Sequence, residues 1–284
     1  MDRYSRLLKR IRTSSAFGAV KASLEGKRLI FTVTTGRSGT ALLSALLSLV
    51  PGVASLHEPD PNFALVMRRA QTNRALALKF MAYEKLVAVA GFKEPVYCET
   101  SHLFCKGFFE PTLDLGILPE LILLKRDRRK VAKSLFELNT IPGRTPLALI
   151  YYLKPDDPSI FLPVEGWSRL NDYQLCYWYC LEIEKRMEVY ERALLERGGR
   201  CYRLRFEELV TPDGAAGLLE RLFSLPRESV ERLKEPLAKL LERPINAKKE
   251  IKVRRLKEEL PSETLAELER EVEELVGFKG VEWE

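Results

Sequence analysis

Residues 29–53 read LIFTVTTGRSGTALLSALLSLVPGV. The run Leu29–Val33 is apolar and β-rich, the pattern of a strand buried on both faces. It breaks at once into Thr35-Gly36-Arg37-Ser38-Gly39-Thr40, and a leucine-rich amphipathic stretch follows. Strand, tight loop and helix start together make the arrangement that cradles a phosphate. The two glycines let the backbone curl around an anion. The amides from Arg37 to Thr40 then point inward, and the helix N-terminus adds partial positive charge. Arg37, Ser38 and Thr40 supply side-chain donors. The loop lacks the Gly-Lys-Ser/Thr ending of a nucleotide-hydrolysing P-loop and carries an arginine at its middle instead. Taken alone, it is also an acceptable plain strand-to-helix turn.

Working outward, strands alternate with helices. A strand over 28–34 and a helix over 39–49 are followed by PGVASLHEPDP, a turn, a short strand and a Pro-bracketed loop. A helical tract runs over 62–90, broken near Thr72–Asn73. FKEPVYCETSHLF gives a short strand and a loop, and Leu121–Leu124 a buried strand before a helix over 128–138. Residues 139–168 are rich in Pro, Gly and aromatics, the character of a lid or an acceptor-binding insertion. A strong helix over 170–197 ends at Gly198–Gly199, RCYRLRF forms a further strand, and the tail is an amphipathic helix. Continuously apolar strands alternating with helices predict an α/β fold with a central parallel sheet flanked by helices on both faces. The phosphate loop then sits at a strand's carboxyl end, where such sheets bind ligands.

The chain has 284 residues, 46% apolar and 30% charged, with a net charge of +6. Acidic residues nearly match basic ones, so no nucleic-acid partner is indicated, while a basic pocket for a polyanionic small molecule fits. No apolar run reaches the roughly 20 residues of a membrane span. The basic start, residues 1–27, reads as a helical extension rather than a signal peptide. Tyr4, Leu7, Leu8 and Ile11 lie on one side of it, packed on the body or in weak contact with a membrane surface. Five cysteines with unrepeated spacings and only two histidines make no metal site, so free thiols and a cytoplasmic location are expected.

A second basic element is LILLKRDRRKVAKS, which puts Arg126 at a strand end and Ser134 eight residues later on the next helix. Read alone it is a solvated helix start. Paired with the Gly36–Thr40 loop, it resembles the sulfotransferases that use 3′-phosphoadenosine-5′-phosphosulfate. In that family the first motif binds the 5′-phosphosulfate, which here implies Gly36, Arg37, Ser38, Gly39, Thr40 and Ala41. The second binds the 3′-phosphate, which implies Arg126 and Ser134, with Arg128 standing where the family has proline. Tyr202–Leu209 is similar to the family's later strand, whose aromatic lies near the adenine, so Phe206 takes that place. The likeness spans 29–225. It implies one P-loop NTPase-like sulfotransferase domain over 1–284, closing with a C-terminal helix over 256–284. It also implies the phosphosulfate as donor, 3′,5′-adenosine bisphosphate as product and no metal. A late basic segment commonly closes over the 3′-phosphate, for which Asn246–Lys249, with Lys248, and Lys252–Arg255 are candidates.

The same resemblance makes Glu58 the first candidate for general base and His57 the second. A hydroxyl cannot attack unaided at neutral pH, and a carboxylate beside it can take its proton as the new bond forms. Glu58 also reads as a structural ion-pair partner. His102 reads as a hydrogen-bonded structural histidine on a loop that can border the acceptor. Arg37, with the loop amides, would stabilise charge on the leaving oxygen. Lys93 is a further candidate for reaching the site. Phe63, Tyr151, Tyr152, Phe161 and Trp167 suit either an acceptor wall or ordinary core, and the acceptor class is a small molecule, glycolipid or saccharide. Two alternatives stand beside this reading. One is a P-loop nucleotide kinase, with Asp127 in the metal-binding role. The other is an inactive sulfotransferase-like binding protein.

Overall fold

The computed structural model describes residues 2–242, 262–280 and 283. At its centre are five strands: β1 (Arg28–Val33), β2 (Val53–Leu56), β3 (Val96–Glu99), β4 (Glu120–Lys125) and β5 (Cys201–Arg205). They lie side by side as β2-β3-β1-β4-β5. Every pairing is parallel, with Phe31 beside Glu99 on one flank and Leu121 on the other.

Successive strand side chains point to opposite faces. Leu29, Phe31 and Val33 of β1 and Leu121 and Leu123 of β4 enter one core. Ile30, Ile122, Leu124 and Leu204 enter the other, together with Leu42, Leu43, Leu46 and Leu47 of the helix Thr40–Leu47. The first core is closed by the helices Arg128–Glu137 and Asp172–Leu195, the second by Pro212–Phe223 and Arg227–Leu241. Helices on both faces are the reason the two central strands β1 and β4 are apolar on both of their faces. The α/β class expected from the sequence is the class observed.

The long helix Asp172–Leu195 starts at a capping box, in which the Asn171 side chain accepts from the Gln174 amide and the Gln174 side chain accepts from the Asn171 amide. The basic N-terminal segment forms two helices, Arg3–Arg12 and Ser15–Ser23. Ile11 and Phe17 are buried in the first core, and Tyr4, Leu7 and Leu8 pack against it. The tract over 62–90 is broken between Ala70 and Arg74, as expected, and carries a π-turn at Met81–Lys85. The 139–168 stretch contributes Ile141, Ala148, Leu153, Leu162 and Val164 to the first core. Within the 256–284 tail, the helix is Ser262–Val276. Lys248 and the rest of the late basic segment lie outside the described residues.

The chain leaves β1 toward the β2 edge and leaves β4 toward the β5 edge. The helix after β1 covers the second core and the helix after β4 covers the first. Loops diverging in this way open a crevice between the carboxyl ends of β1 and β4.

Candidate functional site

In a parallel sheet the carboxyl ends of all strands share one edge. That edge gathers the Thr35–Thr40 loop after β1, His57 and Glu58 after β2, and Thr100–Lys106 after β3. Arg126 follows β4 and Phe206 follows β5 there. Lys93 does not join them. It precedes β3, at the opposite edge, separated from the Thr35–Thr40 loop by the length of β1, about 20 Å of strand. Its expected reach into the site is therefore corrected.

The two basic motifs meet in the crevice. Arg37 Nε donates to Ser134 Oγ at 3.2 Å, and Arg126 Nη1 donates to the Arg37 carbonyl at 2.6 Å. The Arg126 guanidinium lies 4.4 Å from the centre of the Phe206 ring. Gly39 has φ +92°, and a Cβ there would come within 2.7 Å of that ring, so only glycine lets the aromatic close on the loop. Burial holds Arg126 below the usual arginine range; the Arg37 charge adds to this and Glu207 opposes it. Among the described residues neither Arg37 nor Arg126 has a carboxylate within ion-pair distance, and Arg126 Nε has no hydrogen-bond partner. Two cations held together without an anion form a site for one.

The loop backbone adds to that field. Gly36, Arg37 and Gly39 all have positive φ, at 79°, 56° and 92°. For a non-glycine residue such as Arg37 this conformation costs roughly 1–2 kcal/mol. Among the described residues, the first amide after Gly36 with a backbone acceptor is Leu43, bonded to the Gly39 carbonyl at 2.9 Å. The amides before it are open to a ligand. The loop's foot is tied down by Tyr179 Oη, which donates to the Thr35 carbonyl at 2.6 Å. Thr34 Oγ1 donates to the Leu124 carbonyl at 2.8 Å, so the Ser38 hydroxyl, 2.5 Å away, gives its hydrogen to Thr34. Ser38 is thus a latch between β1 and β4 whose outward donor is its amide. Thr40 opens the following helix, and Ala41 lies in its first turn.

Glu58 stands at the β2 side of the same edge, at φ +50°. Its Oε1 is 3.5 Å from His102 Nε2. His102 in turn packs on the loop: a Cβ on Gly36 would lie 3.1 Å from its ring. Lys106 Nζ is 2.7 Å from His102 Nδ1 and donates to the Tyr151 carbonyl at 2.6 Å. Lys106 is fully buried, and burial pushes its amine down to about 7. His57, the second candidate base, is exposed, and its Nδ1 donates to the Thr100 carbonyl at 2.8 Å. Carboxylate, histidine and the Thr35–Thr40 loop therefore form one continuous surface. Sequence reading raised His102 and passed over Lys106, whose signal is a charged residue inside the apolar run Leu103–Phe109.

The aromatic candidates divide. Tyr152 packs on His102, with ring centres 5.6 Å apart, and is part of the site's wall. Phe63 is fully buried against Phe80, Phe104 and Phe108, so it is core. Phe161 lies against Tyr190 and beneath Arg186, and Trp167 lies over Gly143. Asp127 caps the Arg128–Glu137 helix, accepting from the Lys130 amide at 2.8 Å, an occupation that competes with metal binding. Among the described residues no cluster of three or more metal-ligating side chains occurs.

No protein-family model matches the chain, and no curated protein does. Among solved structures, a sulfotransferase domain from the curacin biosynthetic pathway is similar, with a TM-score of 0.46 and 15% identity. The similarity covers 70% of this chain and 75% of that one. A likeness of that degree assigns neither ligand nor reaction to this chain.

Proposed function

We propose that the protein is a sulfotransferase that takes a sulfuryl group from 3′-phosphoadenosine-5′-phosphosulfate and passes it to an acceptor hydroxyl. The observation that carries this reading is the meeting of Arg37, Ser134 and Arg126 in one crevice, without a carboxylate partner among the described residues. These are the residues the two sequence motifs nominate for the two ends of a bisphosphorylated nucleoside. The loop amides with Arg37 would hold the 5′ end, Arg126 and Ser134 the 3′-phosphate, and the Phe206 ring the base. The donor brings the activated sulfuryl group.

In the reaction, the acceptor oxygen–sulfur bond forms as the bond from sulfur to the bridging phosphate oxygen breaks. Glu58 takes the acceptor's proton. Arg37 and the loop amides stabilise the charge that gathers on the leaving oxygen. A sulfuryl group carries less charge than a terminal phosphoryl group, which accounts for a loop without the P-loop lysine.

The test is calorimetric titration with 3′,5′-adenosine bisphosphate beside ADP plus magnesium. Micromolar or tighter binding of the bisphosphate alone is expected. A preference for ADP with magnesium, or no binding of either, overturns the proposal.

A further inference from the structure

We propose that Lys106 is a positioning residue for Glu58: its ammonium fixes the proton of His102 on Nε2, and that N–H holds the carboxylate against the phosphate loop. The inference rests on the sulfotransferase reading for the role of Glu58, but its geometry stands apart from it.

An ammonium group only donates hydrogen bonds. With Lys106 Nζ 2.7 Å from His102 Nδ1, that nitrogen is the acceptor whenever Lys106 carries its proton, which in the folded protein is below about pH 7, and in a neutral ring the hydrogen is then on Nε2. Nε2 is the atom that faces Glu58 Oε1 at 3.5 Å. Lys106 is itself held from several sides. It donates to the Tyr151 carbonyl, and the rings of Tyr152 and Tyr179 lie 4.8 and 5.0 Å from Nζ. The ring of His102 packs on the loop at Gly36, where an added Cβ would lie 3.1 Å from it. The chain lysine, histidine, carboxylate thus runs from the buried floor to the site's mouth. Such a chain leaves Glu58 Oε2 for the acceptor. A simple packing role would need neither the charge nor this order of atoms.

Only two histidines occur in the sequence, which makes the proton directly readable. Nitrogen-15 spectra of the imidazoles below pH 7, where Lys106 carries its proton, with His57 identified through His57→Gln, should find His102 protonated on Nε2 and bare on Nδ1. In Lys106→Met the population should move toward the Nδ1–H form. Lys106→Gln keeps donors for both His102 and Tyr151, and should retain the wild-type form. With donor and acceptor supplied, Lys106→Met should lose on the order of 10²-fold in kcat, as misplaced catalytic groups do. The bisphosphate Kd should not change, and Lys106→Gln should recover most of the rate. Wild-type His102 protonated on Nδ1 overturns the inference, and so does a proton that stays on Nε2 in Lys106→Met. If Lys106→Met does not fold, the wild-type and Lys106→Gln spectra decide alone. Failure of the wild-type protein to bind the bisphosphate overturns the sulfotransferase reading and leaves the spectral result standing.

Discussion

Within the four residues Arg126-Asp127-Arg128-Arg129 the molecule treats its arginines in opposite ways. Arg128 pairs with Glu184 at 3.1 Å and Glu273 at 2.8 Å, and Arg129 pairs with Glu269 at 2.6 Å. Arg126, two residues earlier, has no such partner among the described residues and leans on a carbonyl and an aromatic face. Arg186 is the extreme of the paired kind. It is fully buried, bonded to Glu182 at 2.7 Å, and its remaining donors reach Tyr190 and the carbonyls of Cys105 and Ser159. A paired arginine spends its charge inside the fold and holds elements together. An unpaired one beside a second cation, at a strand end, is the kind the proposed bisphosphate site uses.

That contrast extends to carboxylates, and its largest test is Glu58. Glu58→Gln should lower turnover on the order of 10²–10⁴-fold while bisphosphate binding survives. Equal loss of both would make Glu58 a structural partner like Glu182. On the paired side, Arg186→Met should leave a buried, uncompensated Glu182 and destabilise the fold by about 3–5 kcal/mol in chemical denaturation. A smaller loss would mean the network is softer than its geometry. On the unpaired side, Arg37→Ala and Arg126→Ala should each weaken the bisphosphate by roughly 10- to 100-fold, the worth of a charge-assisted hydrogen bond. Their melting temperatures should stay near that of the parent. A large drop in melting temperature would erase the distinction between the two kinds.

Lys106 sharpens the comparison through pH. Its amine lies near 7 in the folded protein and at the ordinary 10.5 when unfolded, burial being the main cause. Between those values the unfolded chain holds a proton the folded chain has shed, so stability should rise with pH across that window. Cys105, Glu58 and Arg186 face the same amine, and subtracting the Lys106→Met curve isolates its share. A difference curve that is flat from pH 7 to 10.5 would contradict the buried, displaced amine. The smallest effect belongs to Arg129→Gln. Its side chain is 41% exposed, and loss of the Glu269 pair should change stability by about 0–1 kcal/mol, measured by the denaturation midpoint.

The fold was legible because its decisive strands are local statements. Leu121–Leu124 is apolar without interruption and Leu29–Val33 is apolar but for Thr32, a pattern that a sheet covered on both faces needs. The nomination of Arg37, Arg126 and Ser134 was equally local, two short motifs in order. The pairings were harder to read. Arg128, seen in the sequence only as a replaced proline, meets Glu273 across a separation of 145 residues. No spacing rule reaches that far. Lys93 failed, and Phe63 stayed open between wall and core, for a related reason: residue type said what they could do, and only topology said which edge or layer they occupied. Lys106 was missed because a lysine in an apolar run carries no period, and its partner is identified only when the run folds over His102.

A sheet whose strands all point one way also has a back. The turn at Pro51–Gly52 is exposed and opens β2 at its amino end, away from every residue of the crevice. Such turns are where a chain accepts added material. A reporter domain spliced between Pro51 and Gly52 would ride on the far side of the molecule and leave the crevice's geometry untouched. The same asymmetry gives a lineage of such proteins two separate ledgers of change. Variation behind the sheet alters only how firmly the molecule holds together, and variation in front alters what it recognises.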